Sequence, residues 1–215
     1  MIVGTLTYMI DLDGTLTTLN DEDFAREYIR LLMKYNDGFL EEEFLKNALF
    51  SSLNCLLDDA EGKKSNFDRY MDSFAKISGL DNKEEVMNFF LNFYGTTYNE
   101  MKKIIIPRKD VIEFLDYLEN RKHRLVLATN PIFPEIAIKK RLEWIGADPE
   151  KFEYITTMEN SHYVKPQIDY YNEILKKTNS KAEKTLMIGN DDEMDGACEK
   201  AGIRFIDISF LRESL

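Results

Sequence analysis

Short apolar runs alternate with amphipathic stretches along this chain, and that alternation leaves few folds open. Residues 5–10 (TLTYMI), Leu125-Val126-Leu127-Ala128, Phe152 to Thr156, Thr185-Leu186-Met187-Ile188 and Ile203 to Ile208 each read as a buried strand. Helical spacings separate the later runs: Val111, Phe114, Leu115 and Leu118 over 109–120, then a helix from Pro134 to Trp144 stopped at Gly146. A helix carrying Tyr170, Tyr171, Ile174 and Leu175 follows, and Met194 to Ala201 is closed by Gly202. Strands and helices in alternation imply a parallel sheet covered on both faces, a three-layer α/β arrangement. The first strand stands far from the second. Between them run four amphipathic helices: 21–35, 41–57, one from Phe67 to Ile77 stopped near Gly79, and one from Asn82 to about Met101. That unit is therefore an insertion, with a core at 1–19 and 103–215 and the helical unit at 20–102.

The 215 residues suffice for one full domain plus a smaller insertion. A net charge of −11 argues against a general nucleic-acid binder, which needs a basic face to displace counterions. It leaves room for a small phosphorylated ligand, because a metal and a few local positive groups suffice. No apolar stretch approaches the length of about 18 residues needed to span a membrane. The N-terminus lacks the basic region of a signal peptide, so a cytoplasmic location is the default expectation. Oligomeric state is not legible. Cys55 and Cys198 both read as buried core thiols.

In open parallel sheets ligands sit beyond the carboxyl ends of the strands, so the polar residues there are informative. They are Asp11-Leu12-Asp13-Gly14-Thr15, Thr129-Asn130, Lys165-Pro166 before a helix, and Gly189-Asn190-Asp191-Asp192. Acids, a hydroxyl and a lysine would converge on one edge. Crowded carboxylates repel unless a hard cation such as Mg²⁺ joins them through oxygen ligands. A phosphate dianion would then need that metal and Lys165 to neutralise it. Asp11 is placed to attack phosphorus, and Asp13, two residues on, to protonate the leaving oxygen and later take a proton from water. Thr129 and neighbouring N–H groups would hold phosphate oxygens.

Asp11-Leu12-Asp13-Gly14-Thr15-Leu16 resembles the first motif of the haloacid-dehalogenase-like (HAD) hydrolases. Thr129, Lys165 and the acidic loop 189–195 resemble the second, third and fourth motifs, in order, so the resemblance spans nearly the whole chain. Ala128 to Pro134 and Gly189-Asn190-Asp191 resemble a phosphatase-like bacterial branch that by itself names no substrate. The resemblance implies a Rossmann-like three-layer parallel-sheet core with an inserted all-helical cap domain. It further implies Mg²⁺ held by the Asp11 carboxylate, the Asp13 main-chain carbonyl and a fourth-motif ligand, and a small phosphorylated metabolite as substrate. Here the sequence departs from the common pattern: Asn190 stands directly after the glycine where most members have Asp. Either Asn190 binds the metal through its amide oxygen, which would weaken affinity, or Asp191 takes over, with Asp195 four residues on.

The plainer readings are weaker for most of these residues. Asp-Gly is a common turn pair, but here it follows an apolar strand and has three partners in order. The acidic run 191–195 would also favour a helix start, which is compatible with metal binding. His162 reads as a loop residue near Lys165. Phe44, Phe67, Tyr70, Phe74, Phe89 and Phe90 read as helical core, and Trp144 as packing under its helix. Four rival functions remain. A dehalogenase needs neither the metal nor Asp13. A phosphomutase shares every motif, and a degenerate binding protein is suggested by Asn190. A signalling receiver domain is disfavoured by the Asp-x-Asp pair and the large insertion.

Overall fold

The computed structural model describes residues 4–58, 60–80 and 82–212. The first and last three residues of the expected core, with Asp59 and Asp81 of the expected insertion, lie outside the described residues. Five strands form one sheet: β1 (Thr7–Ile10), β2 (Arg124–Leu127), β3 (Tyr154–Ile155), β4 (Thr185–Gly189) and β5 (Arg204–Asp207). Their order is β3-β2-β1-β4-β5 and every pairing is parallel. Between β1 and β2 lie α1 (Asp21–Tyr35), α2 (Glu42–Leu57), α3 (Asn66–Ser78), α4 (Lys83–Gly95), a 3-10 segment (Thr97–Lys103) and α5 (Lys109–Asn120). Then follow α6 (Glu135–Ile145), α7 (Ile168–Lys177), a 3-10 segment (Gly196–Ala201) and α8 (Ile208–Arg212).

Strand periodicity sorts the core into two layers. Met9, Val126 and Met187 point to one face and pack with Tyr170, Tyr171 and Cys198. Ile10, Leu127 and Ile188 point to the other face and pack with Leu115 of α5 and Leu142 of α6. The central strand is thus buried on both sides, which explains its continuous apolar character. On the second face the same apolar cluster continues without a break into Tyr28, Leu49, Phe74 and Phe93 of the inserted helices.

The insertion leaves and returns through a paired neck. Thr18 N–H donates to the Ile106 carbonyl and Arg108 N–H to the Leu16 carbonyl, both at 2.9 Å. A second tie lies at the start of α3. Asn66 is fully buried, and its Nδ2 donates to the carbonyls of Pro131 (3.3 Å) and Tyr163 (3.0 Å). The backbone N–H groups of Asn66 and Phe67 donate to the carbonyls of Ser161 and Met158. The open end of α3 therefore meets its partners in the loop after β3 rather than in water.

Several elements differ from their sequence expectation. The fourth inserted helix does not run on to Met101 but stops at Gly95, with tighter 3-10 turns from Thr97. Gly95 and the β-branched Thr96 and Thr97 have low helix propensity. The Thr96 hydroxyl also takes the Asn92 carbonyl at 2.6 Å, which reinforces the stop. The expected helix at Met194–Ala201 is a 3-10 turn that begins only at Gly196. The strand expected over Phe152–Thr156 keeps two residues. Phe44 is 56% exposed, contrary to its reading as core, because α2 turns that residue outward. Cys55 is only half-buried, whereas Cys198 is fully buried. Among the described residues no helix is long and apolar enough to cross a membrane.

Replacing Asn66 with Ala removes both side-chain bonds to the core loops and leaves those carbonyls short of a donor. The expected cost is about 1–3 kcal/mol, read as a lower midpoint in urea unfolding.

Candidate active site

The strand order reverses between β1 and β4, so the crevice at their carboxyl ends is the switch point where such sheets bind ligands. Register builds the site there. Ile10 lies opposite both Leu127 and Ile188, so Asp11, Thr129 and Asn190 emerge at one edge of the sheet. A cavity of about 270 Å³ opens above that edge. Asp11, Asp13, Thr129, Asn130, Lys165, Asn190 and Asp191, the residues singled out from sequence, all line it.

A buried lysine is among its lining residues. Lys165 is 2% exposed, and its Nζ donates to Asp11 Oδ1 at 2.8 Å and Asp195 Oδ1 at 2.5 Å. Burial by itself would lower the lysine, but Asp11 and Asp195 outweigh it and hold it protonated, well above the usual lysine range. Burial pushes the Asp11 carboxyl up to about 7, with Lys165 pulling it down and Asp195 and Asp13 pushing it further up. Asn130 Oδ1 accepts from the Lys165 backbone N–H at 3.2 Å and so orients the lysine's loop. The Thr129 carbonyl is fixed by Tyr170 Oη (2.9 Å) and Thr156 Oγ1 (2.7 Å).

Asp195 was noted in the sequence only as a spacing partner of Asp191. It is 2% exposed, and besides Lys165 it accepts the backbone N–H groups of Asn190 (3.1 Å) and Asp191 (3.3 Å) through Oδ2. It thereby ties the fourth loop to the lysine. Gly189 makes this approach possible: a Cβ there would stand 2.1 Å from Asp195 Oδ2. Asn190 reaches the first loop, where its Oδ1 accepts from Thr15 Oγ1 at 3.0 Å. Its amide packs on Gly14, whose φ of +78° and missing Cβ, 2.5 Å from Asn190 Nδ2 if present, both require glycine. Asp191 Oδ1 accepts from the N–H groups of Glu193 and Met194. His162 does not line the cavity; its Nδ1 lies 2.6 Å from Glu173 Oε1.

Sequence reading missed Arg141. It lies on α6, is fully buried, and donates from Nη1 to Asp13 Oδ2 at 2.5 Å. Its guanidinium stands over Phe133 (4.8 Å) and Phe24 (5.1 Å). Asp13 Oδ1 and the Arg141 Nε and Nη2 are buried without a hydrogen-bond partner. A signal was present: Arg141 shares the helical stripe of Ala137, Ile138, Leu142 and Ile145, where a charge is out of place.

The model of the haloacid dehalogenase-like hydrolase family matches residues 8–208. The chain belongs to that family. Solved structures agree on the fold. A predicted phosphoglycolate phosphatase from Haemophilus somnus is 20% identical, with a TM-score of 0.58 over 96% of this chain and 86% of that one. A HAD phosphatase from Thermococcus onnurineus is 16% identical, with a TM-score of 0.57 over 94% of this chain and 85% of that one. A HAD enzyme from Bacteroides thetaiotaomicron, in complex with magnesium and inorganic phosphate, is 16% identical, with a TM-score of 0.53 over 95% and 94%. A search of curated proteins finds no match.

Two outcomes follow from this HAD site. Folding favours protonated Asp11, so its contribution to stability is present below about pH 4 and is lost as the pH rises through about 7. In EDTA, Asp11→Asn is therefore expected to melt above the parent at pH 8, by roughly 2–4 °C per kcal/mol relieved, with the gap closing towards pH 4. Arg141→Met keeps most of the volume but leaves Asp13 without its cation. It is expected to lower stability by about 2–3 kcal/mol, measured by chemical denaturation.

Proposed function

We propose that this HAD hydrolase is a Mg²⁺-dependent phosphatase that cleaves a small phosphorylated metabolite through an aspartyl-phosphate on Asp11. The observation that carries this reading is Asp13 beside Asp11 in one cavity, with Lys165 and Thr129 also lining it. Asp11 is the nucleophile: its carboxylate oxygen bonds to phosphorus as the bond to the leaving oxygen breaks. Asp13 gives that oxygen a proton, then takes one from the water that cleaves the acyl phosphate and regenerates Asp11. Arg141 occupies Asp13 Oδ2, which leaves Oδ1 as the oxygen for the proton. Lys165 balances the charge of Asp11 and of a phosphoryl oxygen, and Thr129 and Asn130 orient the group. A haloacid substrate would leave Asp13 without a task.

The donor set suits Mg²⁺. Among the described residues no three acidic, histidine or cysteine side chains form a cage, but Mg²⁺ commonly takes only one or two carboxylates and keeps several waters. The Asp11 carboxylate, the Asp13 main-chain carbonyl and the Asp191 carboxylate would hold it. Asn190, whose amide oxygen already accepts from Thr15, would brace the loop. Bound there, the ion would neutralise charge on the phosphoryl group.

Asp11→Asn is expected to abolish phosphate release from an alkyl phosphate, and EDTA to do so reversibly. Asp191→Asn is expected to raise the Mg²⁺ concentration for half-maximal rate by about tenfold or more, and Asn190→Ala by less. Unchanged turnover in Asp11→Asn would sink the mechanism, and a larger effect at Asn190 would reverse the ligand assignment. Product analysis with an added acceptor sugar separates hydrolysis from transfer to a second alcohol, the outcome expected of a mutase.

A further inference from the structure

The part of the cavity away from Asp11 has a different chemistry. Its walls come from α1 (Phe24, Tyr28, Ile29) and α2 (Leu49, Phe50, Leu53). Tyr70 of α3 and Ile132 and Phe133 of the loop after β2 complete them. Among the described lining residues the cations number one, Lys165, and its ammonium is already shared by Asp11 and Asp195. The other lining charges are the carboxylates of Asp11, Asp13, Asp191 and Asp195. Arg141 lies behind the wall, turned to Asp13 and covered by Phe24 and Phe133. The Tyr28 hydroxyl is 2.8 Å from that of Tyr94.

A second anionic group on a substrate would thus meet carboxylates and no free cation. A leaving group rich in hydroxyls would give up its hydration against aliphatic and aromatic walls, which costs free energy for every polar group left unpaired. An apolar leaving group gains by the same burial. The rings favour an aromatic guest: Phe24 and Phe133 meet edge to face at 5.3 Å, as do Tyr28 and Phe133 at 5.6 Å. The volume of about 270 Å³ lies just under the ~300–1,000 Å³ usual for ligand sites, so the guest is small.

Resting on the phosphatase reading, we infer that the substrate is the phosphomonoester of a small, uncharged, largely apolar alcohol of the benzyl or short-alkyl kind. Phosphorylated carboxylic acids and sugar phosphates are poor substrates by the same chemistry. The inserted helices select by burial and by the absence of a second cation.

The test is a kcat/KM series with Mg²⁺ on ethyl, butyl and benzyl phosphate, 2-phosphoglycolate and glucose 6-phosphate. The expected result is a rise of about fourfold per methylene buried. The carboxylated and sugar esters should lie at least about tenfold below benzyl phosphate. Highest kcat/KM on 2-phosphoglycolate or glucose 6-phosphate overturns the inference while leaving the phosphatase reading intact. Turnover of none of them overturns the phosphatase reading. Calorimetric titration with benzylphosphonate and phosphonoacetate then decides the pocket's preference by itself. Tighter binding of benzylphosphonate supports the inference; equal or tighter binding of phosphonoacetate, or binding of neither, overturns it. Phe50 lines the cavity and is 48% exposed, so a long polar side chain there can keep contact with water. Phe50→Arg supplies the missing cation and should move the ratio of 2-phosphoglycolate to benzyl phosphate by about tenfold or more towards the former. Circular dichroism confirms that the variant is folded. A ratio unchanged in a folded variant also overturns the inference.

Discussion

The Lys165 ammonium, placed between Asp11 and Asp195, is the contact on which the rest of the site depends. Two carboxylates at the end of a buried sheet would repel each other and lose their hydration. One buried cation between them offsets part of both costs, provided that every atom is held in register. The register comes from the backbone. Asn190 and Asp191 N–H groups fix the far oxygen of Asp195, and Asn130 fixes the lysine's own N–H. Three separate loops are thereby joined through one side chain. The cluster keeps more negative than positive charge, which is the condition under which a hard cation is welcome.

The second ion pair joins the buried Arg141 to the partly exposed Asp13. Its guanidinium stands over Phe24 from α1 and Phe133 from the loop after β2, so the charge that pairs with Asp13 lies under the apolar wall of the cavity. This arrangement couples two properties usually discussed apart. The aromatic rings that shape the cavity are the same ones that shield the ion pair orienting Asp13. The insertion also has fixed attachments, the paired neck at 16–18 and 106–108 and the buried Asn66. The helices that line the cavity are therefore anchored at two places on the core.

Much of the fold was legible because burial in a parallel sheet leaves a strong mark on short segments. Met9-Ile10, Val126-Leu127 and Met187-Ile188 are apolar on both sides because helices cover both faces. The convergence of the seven singled-out residues was legible too, since strand ends in such a sheet share one edge. Local competition was harder to read: Gly95 and Thr96 stopped a helix whose apolar spacing ran on. Phe44, Phe50 and Leu57 of α2 are all exposed, so apolar spacing alone did not mark which residues of that helix are covered. Arg141 escaped notice because an arginine within a helix ordinarily reaches water.

The sequence by itself determined the α/β alternation, the interruption of the core by helices, and which polar residues stand at the strand ends. Those features are carried by local periodicity and by chain order. Only the tertiary structure decided that Asp195 pairs with the lysine, that Arg141 holds Asp13, and that the cavity beyond them is largely apolar, with one cation, already shared, among its described lining residues. Each of these depends on side chains distant in sequence meeting within a few ångströms. Residue spacing along one chain carries no measure of that distance.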